Sequence, residues 1–161
     1  MSESAPPPLS PWHPAALLAT WFGSGLLPYA PGTWGSLAAL PFAWIIASLW
    51  GQWALLGAAG LAFAVGIWAA EIYARRSRGG DPPAVVIDEV AGQWLALAVV
   101  PPDSLPYVLG FVLFRVFDIV KPWPAGAIDR RLKSGFGIML DDMLAGAYAA
   151  ILLWLIMWAL P

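Results

Sequence analysis

The residues able to do chemistry are unevenly placed. Eight of the ten acidic residues fall in two polar stretches, at Glu71, Asp81, Asp88, Glu89, Asp118, Asp129, Asp141 and Asp142. All eight basic residues share those stretches: Arg75, Arg76, Arg78, Arg115, Lys121, Arg130, Arg131 and Lys133. Asp88-Glu89 opens one apolar arm, Asp141-Asp142 opens another, and Asp118 lies just beyond Phe114, near Lys121. Carboxylates gathered around a watery pocket suit a hard cation. Mg²⁺ takes one or two carboxylates and completes its shell with waters and phosphate oxygens. Such an ion polarises phosphoryl groups and lowers the pKa of bound water. Neighbouring Lys and Arg would hold a phosphate.

Each acid also has a plain structural reading. Asp88 and Asp141 suit helix N-caps, with Glu89 and Asp142 favoured by the helix dipole. Asp118 with Lys121 and Asp129 with Lys133 fit ordinary helix-surface pairs. Arg75, Arg76 and Arg78 read best as topology anchors, and the lone histidine, His13, as a surface residue. The segment Gly23 to Ser36 carries four glycines and two prolines ahead of an apolar run. Glycines let backbone N–H groups approach an anion, but the pattern matches neither the P-loop nor the dinucleotide fingerprint.

These residues must be positioned by an apolar chain. Of 161 residues, 60% are hydrophobic and only 11% are charged, with a mean hydropathy of +0.72. Soluble domains carry about 25% charged residues, so most of this surface is expected to meet lipid. The 11 Trp suit interfacial anchors. No cysteine is present, which excludes disulfides, thiolate metal sites and cysteine nucleophiles. A net charge of −2 without a basic run argues against nucleic acid as a partner.

The spacing predicts an all-α, polytopic membrane protein: a disordered tail over residues 1–11, then a single helical domain over 12–161. The opening residues lack the basic region of a signal peptide. Leu37–Trp50 and Trp53–Ala70 form a predicted hairpin, the first arm short and carrying Pro41. Val90–Val100 and Leu105–Phe114 flank Pro101-Pro102-Asp103-Ser104 as a shallow or re-entrant hairpin, each arm short at 1.5 Å per residue. Met143–Leu160 is long enough to span. The positive-inside rule puts both polar stretches, and the Gly23–Gly35 loop, in the cytoplasm.

Four blocks, in this order, resemble the phosphatidylglycerophosphatase A family of bacterial inner-membrane lipid phosphatases. They are GSGLLPYAPGTWGSLAALP (23–41), DPPAVVIDEVAGQW (81–94), FRVFDIVKPWPAGAIDRRLKSGFGIMLDDMLAGAYA (114–149) and the apolar hairpin between the first two. The resemblance implies Mg²⁺-dependent hydrolysis of phosphatidylglycerophosphate to phosphatidylglycerol and phosphate, at a site facing the cytoplasm. Its matched polar positions are Asp88, Glu89, Arg115, Asp118, Lys121, Asp129, Arg130, Asp141 and Asp142, with Gly32 and Thr33. The chain departs from the family at Ala125-Gly126-Ala127 and Ser134, where packing rather than chemistry is at stake.

The combined expectation is direct attack of a metal-activated water. Asp88, Glu89, Asp141 and Asp142 are the expected metal ligands, and Asp118 the base or a further ligand. Lys121, Arg130 and Arg115 would hold phosphate, while the Gly25–Gly35 loop closes over it and Thr33 donates its hydroxyl. An aspartyl-phosphate intermediate is the alternative to direct attack, although the haloacid-type motif is absent, as is the histidine-nucleophile motif set. Two other classes stay open. One is a phosphatase of another lipid or isoprenoid phosphate. The other is a non-catalytic scaffold or transport subunit; transport would call for ionisable groups in mid-span, and the long apolar segments hold none.

Overall fold

The computed structural model describes residues 7, 9–77 and 82–160. Most of the expected tail, together with Arg78 and Asp81, lies outside them. The fold is all-helical among the described residues: α1 (Pro14–Ala19), a 3-10 turn (Ser24–Leu26), α2 (Pro31–Trp50), α3 (Gln52–Arg76), α4 (Ile87–Leu97), α5 (Ser104–Val120), α6 (Ala125–Arg131) and α7 (Gly135–Ala159). Three of these, α2, α3 and α7, are long and apolar enough to cross a membrane.

Residue size is distributed as a bilayer requires. Much of the buried core is alanine, including Ala39, Ala43, Ala59, Ala69 and Ala149, whereas Leu49, Leu61, Ile151 and Leu155 face outward. In water that outer surface would be an aggregation liability. In lipid, small residues inside let helices approach closely, and large apolar ones outside meet the acyl chains. Exposed Trp50, Trp53 and Trp158 mark one end of the bundle, and exposed Trp12 and Trp123 the other, as an aromatic belt requires.

Several helices begin earlier or end later than the hydropathy pattern predicts. Helix α2 starts at Pro31 rather than Leu37, and runs through Pro41 without a break. The missing Pro41 N–H costs one bond, and packing against α3, α4 and α5 offsets it. Helix α7 starts at Gly135 rather than Met143. Its N-cap is Ser134, whose Oγ accepts from the Gly137 N–H at 3.3 Å. Glu71 adds a second cap, its Oε2 accepting from the Gly135 N–H at 2.6 Å. That contact also joins the last turns of α3 to the first turn of α7.

Helices α4 and α5 form the expected hairpin, with the Pro turn between them and Asp103 capping α5 by accepting from the Ser104 N–H. The 11 residues of α4 rise only about 16 Å, well short of the roughly 30 Å hydrocarbon core. The open end of the hairpin lies at the same end of the bundle as the start of α7.

Helices α4 and α7 meet backbone to backbone. A Cβ on Gly146 would collide with the Gly92 backbone, and one on Gly92 would meet the Asp142 carbonyl oxygen at 2.5 Å. Neither helix can yield without moving its backbone. Overpacking of such a contact costs about 1–3 kcal/mol or more. Gly146→Val is therefore expected to lower thermal stability in detergent by that order, whereas Gly57→Ala, with open space around it, is expected to leave it unchanged.

Candidate active site

The glycine contact fixes which acids meet. Asp88 and Glu89 lie in the first turn of α4, and Asp142 lies one turn before Gly146 on the facing helix α7. One carboxylate oxygen from each of Asp88, Glu89 and Asp142 lies within 4.8 Å of the other two. They line a pocket of about 340 Å³, shared with Gly32, Arg115, Asp118, Lys121 and Asp141. Pro82, Pro83, Val85, Ile119 and Ile138 supply its apolar walls.

The two cations in the pocket are each held by carboxylates. The Arg115 Nη1 lies 2.5 Å from Asp118 Oδ2 and 3.8 Å from Glu89 Oε1. It also donates to Ser36 Oγ at 3.5 Å, and Ser36 in turn donates to the Gly32 carbonyl at 2.9 Å. Lys121, in a left-handed conformation just past α5, reaches Asp141 at 2.5 Å and Asp129 at 3.1 Å. Its burial favours the neutral amine, but the hydrogen bonds and charges of these acids outweigh that and keep it an ammonium.

Five carboxylates against two cations leave the pocket with three formal negative charges. Burial first, and then the charge on Glu89, pushes Asp88 well above the usual carboxylate range. Burial, reinforced by Asp142 and Asp118, pushes Glu89 up to about 8. Glu89 Oε2 is buried and lacks a hydrogen-bond partner. An orphaned carboxylate oxygen among like charges is stabilised by a bound cation or by a proton. The donor set is all oxygen and suits Mg²⁺ rather than a softer metal. The residues present thus fit a hard divalent ion at Asp88, Glu89 and Asp142.

The expected residues divide into two groups. The structure brings together Asp88, Glu89, Asp142, Arg115, Asp118, Lys121 and Gly32. Asp141 reaches the pocket but turns to Lys121, outside the carboxylate trio. The N-cap reading fails for both acid pairs. Val86 is the N-cap of α4, and Asp141 lies nearly two turns inside α7. The surface-pair reading also fails, because Asp118 engages Arg115 and Asp129 engages Lys121. His13 caps α1 through Nδ1.

Two expectations about the glycine-rich segment need correction. It does not close over the pocket as a loop, because Pro31 to Gly35 is already helix. Gly32 serves as empty space instead: a Cβ there would collide with Glu89 Oε1 and crowd Arg115. Thr33 is helical and does not line the pocket, and exposed Arg130, on α6, does not line it either. Ser36 was missed by sequence reasoning. Its one available signal was the four-residue spacing from Gly32, which puts both on one helix face.

Known proteins resemble this chain along nearly its whole length. The phosphatidylglycerophosphatase A family model matches residues 17–157. A protein of Escherichia coli K12 named phosphatidylglycerophosphatase A is 40% identical over 149 residues, covering 91% of this chain and 84% of its own length. One of that name from Haemophilus influenzae is 41% identical and covers 97% of both chains. A Bacteroides thetaiotaomicron protein provisionally named a phosphatidylinositol-3-phosphatase is 41% identical, covering 89% of this chain and 94% of its own. No solved structure matches. With carboxylates and cations converging at the end of a lipid-facing bundle, and with relatives of this identity along almost its whole length, the chain belongs to the phosphatidylglycerophosphatase A family of phosphatases.

Proposed function

We propose that this phosphatase removes the terminal phosphate of phosphatidylglycerophosphate at the cytoplasmic surface of the bacterial inner membrane, with Mg²⁺ held by Asp88, Glu89 and Asp142. One observation carries the reading: three carboxylates from α4 and α7 converge beside two anchored cations. The names of the E. coli and H. influenzae relatives support the substrate. The basic residues Arg75, Arg76, Arg130 and Arg131 close the helices α3 and α6, which supports a cytoplasmic orientation.

Electrostatics explains why a cation belongs to the reaction. A phosphate monoester is an anion, and a pocket with three formal negative charges would repel it. When bound, Mg²⁺ supplies charge neutralisation, polarisation of the phosphoryl oxygens and a more acidic water. Arg115 and Lys121 then present N–H donors to the phosphate, where charge develops during transfer. Asp118 holds Arg115 in place, and Asp129 and Asp141 do the same for Lys121. Asp118, an acceptor-only carboxylate when ionised, is the proposed acceptor of the water proton. The lipid tails stay in the bilayer while the phosphate enters the pocket from its rim.

The name of the Bacteroides relative favours one other reading, the same chemistry on a different lipid phosphomonoester. Phosphate release from a panel of lipid monoesters separates the two. Phosphatidylglycerophosphate is expected to give the highest kcat/KM, and a clear preference for a phosphoinositide would overturn the substrate assignment.

Chelation with EDTA is expected to abolish phosphate release by purified protein, and Mg²⁺ to restore it. Asp142→Asn and Glu89→Gln are each expected to lower activity about 100-fold or more while helicity by circular dichroism stays unchanged. Full metal-dependent turnover in both variants would remove these residues from the cation site. Gly32→Ala is expected to fold normally, because the added methyl meets only the ends of the flexible Glu89 and Arg115 side chains. It should nevertheless weaken Mg²⁺ binding, seen as a higher Mg²⁺ concentration for half-maximal activity, because Glu89 must move.

A further inference from the structure

A second cavity lies on the same seam as the pocket. It is a groove of about 420 Å³ between α2 and α5, lined mainly by Leu37, Leu40, Pro41, Trp44, Tyr107 and Val108. Gly32, which lines the pocket, is followed along one face of α2 by Ser36, Leu40 and Trp44, at helical spacing. On α5 the face that carries Ser104 and Val108 also carries Arg115, at the spacing of whole turns. Pocket and groove are therefore successive stations between the same two helices. Ser36 and Arg115 join across the seam between them.

The groove has the dimensions and chemistry of a hydrocarbon site. From Arg115 to Val108 along α5 is about 10 Å, and to Ser104 about 16 Å, at 1.5 Å per residue. Its lining is apolar apart from Ser104 and the phenol oxygen of Tyr107. Trp44 and Tyr107 pack edge to face, with ring centroids 5.1 Å apart, and form a firm wall. Helix α2 is tied to α4, where the Trp94 indole N–H donates to the Ala39 carbonyl at 2.9 Å, and it meets α5 less extensively.

We infer that the α2–α5 groove is the acyl-chain subsite: one tail of the phosphate-bearing lipid lies in it while the phosphate reaches Arg115. The inference rests on the lipid-phosphatase reading above and adds where the substrate's tail is recognised. Its occupant follows from continuity with the phosphate pocket, an apolar lining, and a length suited to many methylene groups.

Filling the groove tests this. Val108→Trp and Leu40→Trp should each lower kcat/KM about tenfold for a long-chain diacyl phosphate monoester, equivalent to losing about two buried methylenes. For a dibutyryl monoester, too short to use the groove, the change should stay within about twofold. Leu61→Trp, on the lipid-facing side of α3, should alter neither. Equal activity on both substrates, or an equal loss in folded protein, would overturn the subsite. Photocrosslinking makes a test independent of turnover. Benzoylphenylalanine placed at position 108 in mixed vesicles should capture a phosphate monoester lipid in preference to a zwitterionic lipid with the same tails. Absence of preference would overturn the groove's role, whereas capture without phosphate release from any lipid would count against the enzymatic reading alone.

Discussion

Carboxylates that repel one another are held together here by a backbone contact that cannot open. Gly92 and Gly146 let α4 and α7 touch main chain to main chain. Asp142 on one helix is thereby set against Asp88 and Glu89 on the other. Burial first, and then the neighbouring carboxylates, raise the proton affinities of Asp88 and Glu89. A bound divalent cation would offset the cost of keeping them charged. Packing between small residues, worth little at any one contact but rigid in sum, thus supplies the force that assembles a charged site.

The same constraint organises the rest of the molecule. Arg115 and Lys121 stand at the end of α5, the return arm of a hairpin too short to span on its outward arm. Because α4 begins and α5 ends at the pocket, five of its charged groups come from that one hairpin, Asp88, Glu89, Arg115, Asp118 and Lys121. Helix α7 contributes Asp141 and Asp142, and α2 contributes the absence of a side chain at Gly32. Every cation in the pocket has at least one carboxylate partner, so each enters the site already oriented. Side chains held in this way would need little reorganisation to meet an anion.

A lipid phosphatase has two solvents to satisfy. Its reacting group needs water and ions, and its tails need hydrocarbon. The bundle keeps large side chains outward along α2, α3 and α7, and concentrates charge at one end. The seam between α2 and α5 joins the two regimes, with Arg115 at one end and an apolar groove at the other.

Much of this was legible in the residues themselves. Composition required a membrane bundle, because 11% charged residues cannot solvate an outer surface. The segregation of acids and bases located the carboxylate-lined pocket, and a hairpin of short arms followed from the apolar runs on either side of the Pro turn. Helix starts were less legible. Hydropathy registers apolar residues, whereas α2 and α7 begin among glycine, serine and acidic residues whose helical state depends on caps such as Ser134 and Glu71. Nor could spacing say that Asp141 would turn to Lys121 while Asp142 joined Asp88 and Glu89. Adjacent residues on a helix point about 100° apart, and which of the two faces α4 is decided only where Gly146 meets Gly92. The sequence by itself determined which groups are available and at which end of the bundle they gather. Tertiary structure decided which of them touch, because that depends on contacts between helices far apart in the chain.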